Sequence, residues 1–374
     1  MGLKVAILTS GIPADVEAAA RAGEALSEEA ACALAPAQWL HDALVEAGHD
    51  VAPLHLSRAN NCEALSTLRG FHADVVWPLS CAPRRSSGVA DTSVPDMLAL
   101  LGLPFVGSTS SVRRALAGRT YIGDALERAV AQGETPAAMA PHTVALSEQA
   151  ATMLGDAGLL DLVAQAIPEG YPLCVTPARI DAEVRPQRVA TPEALARALD
   201  ELFARAEGGE TQPALVQPWV EGVELYVPVL GDADDVLALP PVEVARATGA
   251  RPADAAGTTV SGAPTSSADP QASAVTTRLV APVRPASLSH DDADAQAIRS
   301  EIERAAVDAY LACGCRDLGC VHLVWDGGRA VVLGIDAAPS LADDAPLALA
   351  ARAADIPLAT IADQLVAIAA ERGR

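Results

Sequence analysis

The opening part of the chain alternates between two patterns, and that alternation limits the possible folds more than any other feature. The run KVAILTSG, from Lys4, is apolar and stops at a glycine turn, as the first strand of a parallel sheet does. PAQWLHDALVEAGHDVAPLHL reads as a helix started by Pro36, with apolar residues at helical spacing and a glycine stop, then a second strand. ADVVWPLS is a third strand, and VPDMLALLGLPFVG a helix followed by a short strand. Such β–α alternation predicts a doubly wound parallel sheet, whose ligands lie beyond the carboxyl ends of its strands.

From Ser108 the pattern changes. SSVRRALAGRTYIGDALERAVAQG reads as short helices, GYPLCVTPAR as a strand, TPEALARALDELFARAEGG as a helix and PALVQPWVEG as a strand, together a small α+β unit. A third block starts at VELYVPVLGD. Inside it, Ala245 to Ser289 is rich in Ala, Pro, Gly, Ser and Thr, which predicts a long mobile loop. DAQAIRSEIERAAVDAYLACG then reads as a helix, LGCVHLVWDGGRAVVLGIDAAPS as a hairpin turning at Asp326-Gly327-Gly328, and IADQLVAIAAERG as a closing helix. The expectation is an α/β chain of three domains: 1–107, an N-terminal doubly wound parallel sheet; 108–222, a small α+β domain; and 223–374, a second α+β domain with a low-complexity loop at 245–289.

Charge and composition exclude several classes. A formal net charge of -22 argues against nucleic-acid partners, because phosphate-backbone affinity is built on clustered Lys and Arg. The chain is 51% hydrophobic but only 3% aromatic, so its apolar fraction comes from small side chains and not from membrane-type runs. MGLKVAILTSG carries neither a basic leader nor a cleavage site. A cytoplasmic protein with no membrane partner is expected. Of 26 basic residues, Lys4 alone is a lysine, so any chemistry needing an ammonium elsewhere has no group to supply it. The seven cysteines have neither zinc-knuckle nor iron–sulfur spacing and are expected to be free thiols in a reducing compartment.

Seven ordered pieces resemble the D-alanine:D-alanine ligases of the ATP-grasp superfamily: VVWPLS, MLALLGLPFVGS, YPLCVTPA, LVQPWVEGVEL, LGDADDVLALPPVEV, CGCRDLGCVHLVWDGGRAVVLGIDAAP and AARAADIPLATIADQLV. The resemblance implies an ATP-grasp-like three-domain architecture, with 1–107 as the pre-ATP-grasp domain and ATP held between the sheets of the other two. It also implies a homodimer formed through the first domain. The family's reaction passes through an acyl phosphate, and magnesium, lysines and an arginine hold the accumulating negative charge.

Position by position, those groups are replaced. The phosphate-facing lysine of the YPLCVTPAR strand becomes Thr176, and the second falls in LAGRTYIG, where Arg119 or Thr120 fills it. The glycine-rich phosphate loop becomes IDAEVRPQRV, without glycine and with the repelling acids Asp181 and Glu183. The metal ligands become His322, Gly334 and Asp336, and the arginine before them becomes Cys320. Magnesium takes hard oxygen ligands in near-octahedral geometry, and His322 with Asp336 are too few for a softer metal. The substrate turn after the third strand becomes SCAPRRSSGVADTS. What persists by resemblance is Glu29, for a substrate ammonium, although an acid at a helix start explains it equally. Trp219 and Glu224 match the adenine-flanking segment and the ribose acid, Leu333 an adenine-facing position, and Gln217 with Pro218 stand where an acid and a lysine are usual.

The expected function is a ligase-like pseudoenzyme that binds a small metabolite, a nucleotide or a protein partner. The alternative is an active ATP- and magnesium-dependent carboxylate–amine ligase for a divergent substrate, with Arg119, Arg179, His322 and Asp336 as replacements. Chemistry without ATP has no supporting constellation, since no Ser, Cys or Thr shows a paired base in the sequence.

Overall fold

The computed structural model describes residues 2–10, 28–56, 61–80, 93–118, 120–178, 186–204, 212–233, 235–246, 277–279 and 293–373. Of residues 28–33, 61, 62, 80, 93, 244–246, 277–279, 293 and 294 it describes the backbone alone. The N-terminal unit runs β1 (Lys4–Ser10), α1 (Glu28–Glu46), β2 (Asp50–Leu56), α2 (Asn61–Phe71), β3 (Val75–Ser80) and α3 (Ser93–Leu100). Its strands form a parallel sheet in the order β2-β1-β3. Successive residues of a strand point to opposite faces, and here both faces are covered. Val5 and Ile7 pack with Leu40 and Leu44 of α1, while Ala6 and Leu8 pack with Leu68 of α2 and Leu98 of α3. The doubly wound reading therefore holds.

Two local expectations fail. α1 begins at Glu28, so Pro36 lies inside the helix and does not start it. The short strand after α3 is a single parallel bridge, Phe105 to Val76, because the chain turns away at once toward Ser108.

The central stretch contains α4 (Ser110–Ala117), α5 (Tyr121–Ala131), β4 (Ala138–Met139), β5 (Val144–Leu146), α6 (Glu148–Ala166), β6 (Leu173–Pro177), β7 (Gln187–Val189), α7 (Pro192–Phe203) and β8 (Ala214–Pro218). An antiparallel sheet in the order β5-β8-β6-β7 carries α6 and α7 on one face, around Leu173, Val175, Val216, Leu195 and Leu199. α4, α5 and β4 do not join that core. Leu116, Ile122, Leu126 and Ala138 pack instead on the third unit, and β4 pairs with one of its strands.

That unit comprises β9 (Val223–Asp232), β10 (Asp235–Ala238), β11 (Val242–Arg246), β12 (Thr277–Leu279), α8 (Ala293–Ala312), β13 (Asp317–Trp325), β14 (Ala330–Asp336), α9 (Pro346–Ala353) and α10 (Leu358–Glu371). The large sheet runs β12-β11-β9-β13-β14-β4, with β10 paired on β9. The predicted hairpin is β13–β14, where the Asp326 carboxylate accepts from the Gly328 and Arg329 N–H groups. The expected loop at 245–289 is corrected at two places. Ala245 and Arg246 continue β11, and Thr277–Leu279 pair with it as β12, because VEVAR and TRL supply strand-forming residues that close an antiparallel ladder. Residues 247–276 and 280–289 lie outside the described residues. No single helix among the described residues is long and apolar enough to cross a membrane.

A buried charge cluster joins the N-terminal unit to the large sheet. Asp317 is fully buried at the start of β13, with φ 67°, a left-handed conformation that Asp tolerates better than most residues. Its carboxylate accepts from both terminal nitrogens of Arg372 and from the Gly107 N–H. Arg372 also donates to the Phe105 carbonyl at 3.1 Å. Beside them, Arg316 donates to the Gly107 carbonyl at 2.9 Å and lies over the Phe105 ring, 4.7 Å from its centroid. A second link is His49, whose Nδ1 accepts from the Leu3 N–H and whose Nε2 donates to Asp363 of α10 at 2.8 Å.

Removing one partner of a buried ion pair strands the other charge, which typically costs several kcal/mol. Arg372→Met is expected to lower unfolding free energy by about 3 kcal/mol in urea titration. Arg114→Met removes the exposed Arg114–Asp96 pair and is expected to change it by less than about 0.5 kcal/mol.

Candidate functional site

The site is built from two sheet faces. In β6, the odd residues Leu173 and Val175 point into the core beneath α7, a helix capped by the Thr191 hydroxyl, which accepts from the Ala194 N–H. The even residues, Cys174 and Thr176, therefore point to the opposite face. Gln217 lies directly across from Cys174, and Leu215 across from Thr176. All four are buried, so Thr176 presents one neutral hydroxyl in an enclosed setting. On β7, Arg188 pairs in register with Cys174. Its guanidinium is 3.3 Å from Glu221 and 6.0 Å from the Trp219 ring centroid. The strand continues through Trp219, whose N–H donates to the Pro172 carbonyl at 2.9 Å. Gly222 then leads into β9 so close to β13 that a Cβ there would stand 2.1 Å from the Trp325 carbonyl oxygen.

In the large sheet the same alternation sorts residues by face. Leu225, Val227, Val321, Leu323 and Ile335 pack beneath α8. On the other face Leu230 and Leu318 are covered by the N-terminal unit, and the next residues along that face are Cys320 and His322 of β13. His322 is in register with Tyr226 of β9 on one side and Gly334 of β14 on the other, and Cys320 is in register with Asp336.

The His322 Nε2–H donates to Glu224 Oε1 at 2.7 Å, and its ring stacks on Tyr226 with centroids 4.7 Å apart and planes 22° apart. Glu224 and His322 are largely buried, at 14% and 25% side-chain exposure. Leu333 is half-buried at a bulge, where β14 shifts register against β13 between His322 and Leu323. Asp336 is exposed, and its Oδ1 accepts from the Ala338 N–H.

These residues do not fit magnesium. Glu224 holds the imidazole, Gly334 has no donor atom, Cys320 is a buried thiol, and Asp336 is turned to its own following turn. Among the described residues no group of three or more His, Cys, Asp or Glu is placed to hold a metal ion, and the His322–Asp336 pair weighed from sequence does not form one.

The sequence-derived positions thus separate cleanly. Glu224, His322, Gly334 and Asp336 share one face of the large sheet, while Thr176 and Gln217 share a face of the small one. Arg119, Arg179, Asp181 and Glu183 lie outside the described residues, and of Glu29 only its place in the first turn of α1 is described. Tyr226 and Arg188 were missed. Tyr226 was findable, since it follows Glu224 by two residues in a strand and so shares its face.

The expectation that no hydroxyl has a paired base also needs correction. At the carboxyl ends of β1 and β2, the Thr9 hydroxyl is 3.1 Å from His55 Nδ1. The same hydroxyl is 3.1 Å from the Leu54 carbonyl, so its single hydrogen has two acceptors within reach.

Cys174, Cys313, Cys315 and Cys320 are buried and form no disulfide. Burial pushes the Cys313 thiol up to about 12 and raises Cys315 further. Iodoacetamide at pH 8 is expected to leave these four unmodified in the folded protein and to label all of them in urea, as read by peptide mass spectrometry. Labelling of native Cys320 would contradict the buried geometry.

No family model matches the chain. It is 25% identical over 370 residues to a D-alanine–D-alanine ligase of Desulforudis audaxviator, covering 99% of both chains. A shorter stretch of 81 residues is 43% identical to the D-alanine–D-alanine ligase of Nitratidesulfovibrio vulgaris, 22% of this chain and 24% of that one. Among solved structures, the VanG D-Ala:D-Ser ligase of Enterococcus faecalis superposes with a TM-score of 0.67 at 15% identity, over 99% of this chain and all of the other. The ATP complex of the Bacillus anthracis D-alanine–D-alanine ligase gives 0.64 at 14% identity, over 100% and 98%.

Proposed function

We propose that this ATP-grasp protein, which resembles D-alanine–D-alanine ligases from end to end, has left ligase chemistry and serves in the cytoplasm as a binding protein for a small metabolite. The observation that carries the reading is the Glu224–His322 pair beside a bare Gly334. A phosphoryl-transfer site must gather cations against the accumulating charge of phosphate oxygens. On the large-sheet face, the described residues offer the acids Glu224 and Asp336 and an imidazole whose Nε2–H already serves Glu224. On the small-sheet face, Thr176 and Cys174 are neutral, and the neighbouring cation Arg188 is shared by Glu221 and Trp219. Stripping lysine, hard metal ligands and arginine from one mechanism removes its electrostatic stabilisation while leaving the fold intact.

The second reading is an active carboxylate–amine ligase on a divergent substrate. Its support is the unbroken match, 99% of both chains, to a D-alanine–D-alanine ligase. That reading needs Arg119 or Arg179 to supply the missing charge.

An ADP-release assay with ATP, magnesium and D-alanine, alone and with a panel of other amino acids, separates them. The proposed function gives ADP at the level of a no-enzyme control. Turnover above that control, abolished by Glu224→Gln, would establish the ligase.

A further inference from the structure

Tyr226, His322 and Gly334 stand side by side in one row across β9, β13 and β14, all on the face turned away from the α8 core. Neighbouring strands are about 4.8 Å apart, so the row presents one side chain per step. The first two steps carry flat rings, stacked with centroids 4.7 Å apart. The third step carries nothing. Among the described residues no atom lies within 4 Å of where a Gly334 Cβ would point, and Gly334 is partly open to solvent. One side of the imidazole is covered by Tyr226 and the other borders this gap.

We propose that the gap over Gly334 is a slot for one flat, uncharged, amino-bearing heteroaromatic ring, which stacks on His322 as the third member of the row. The proposal rests on the reading that the cleft no longer serves phosphoryl transfer.

Three features define the ligand class. Stacking at this spacing calls for an aromatic ring, and ring pairs with centroids about 4.5–7 Å apart contribute beyond the area that they bury. The rim acid calls for N–H donors: Asp336 follows Gly334 by two residues on the same face and is exposed, while Glu224, on the far side of His322, already accepts the imidazole proton. The same acids exclude a ligand with phosphate close to the ring, because like charges repel across a half-buried face. The His322–Glu224 hydrogen bond fixes the plane of the imidazole, so the stacking surface is set before a ligand arrives.

The probe is 2-aminopurine riboside, whose fluorescence is quenched when its ring stacks, with the corresponding 5′-triphosphate as anionic comparator. The riboside is expected to be quenched saturably, and the triphosphate to bind about tenfold or more weakly. Gly334→Val fills the gap with a residue that suits a strand and whose Cβ meets no described atom within 4 Å, so its melting temperature is expected to hold while riboside quenching is lost. His322→Ala, which removes the stacking partner without filling the gap, is expected to lose the quenching as well. Absence of saturable quenching, quenching unchanged in Gly334→Val, or tighter binding of the triphosphate would each overturn the proposal. ADP formation in the turnover assay would overturn the non-catalytic reading instead, whatever the riboside does.

Discussion

The buried contact of Asp317 with Arg372 and the Gly107 amide decides what the rest of the chain can do. One carboxylate at the head of β13 gathers a guanidinium from just beyond α10 and the backbone that leaves the N-terminal unit. A fully buried carboxylate is tolerable only when its lone pairs are met by charge-assisted donors, and here they are. The contact presses the N-terminal unit onto Leu230 and Leu318 of the large sheet. It therefore sets how far along β13 the covered part runs and where the less covered part begins. Cys320 and His322 are the next residues on that face, so the position of the site follows from the position of the clasp.

Beyond the clasp, the chemistry on the open face is that of paired and neutral groups. Thr176 and Gln217 are buried and uncharged, and His322 is turned onto Glu224 and stacked against Tyr226. A carboxylate and an imidazole that satisfy each other across two strands stabilise the sheet, and the same bond takes away the oxygen that a cation would use. The glycine beside them leaves room without supplying a ligand. On the proposed reading, a fold like that of the D-alanine–D-alanine ligases with this lining holds a ring and does not move a phosphoryl group.

Much of the frame was legible because it is written in local pattern. The alternating β and α signals gave the parallel sheet, and Asp326-Gly327-Gly328 gave the hairpin. Period-two alternation put Glu224, His322 and Asp336 on one face once their strands were aligned. What the pattern hid depends on contacts between distant residues. Pro36 reads as a helix start, yet α1 runs through it. Ala245, Arg246 and Thr277–Leu279 sit in a composition that suggests loop, but they close a ladder with each other. α4 and α5 follow the N-terminal unit in sequence and pack on the large sheet, a choice that short-range propensity does not encode. The clasp joins Gly107, Asp317 and Arg372, which no window along the chain contains together.

The account's central claim is that the faces of the two sheets hold no metal–phosphate site. Electron paramagnetic resonance titration of Mn2+ into the protein with ATP present tests it directly, because protein-bound manganese loses the sharp signal of the free ion. The account predicts a signal equal to that of ATP and manganese without protein. Stoichiometric loss of the signal on adding protein, relieved by Asp336→Ala, would contradict it.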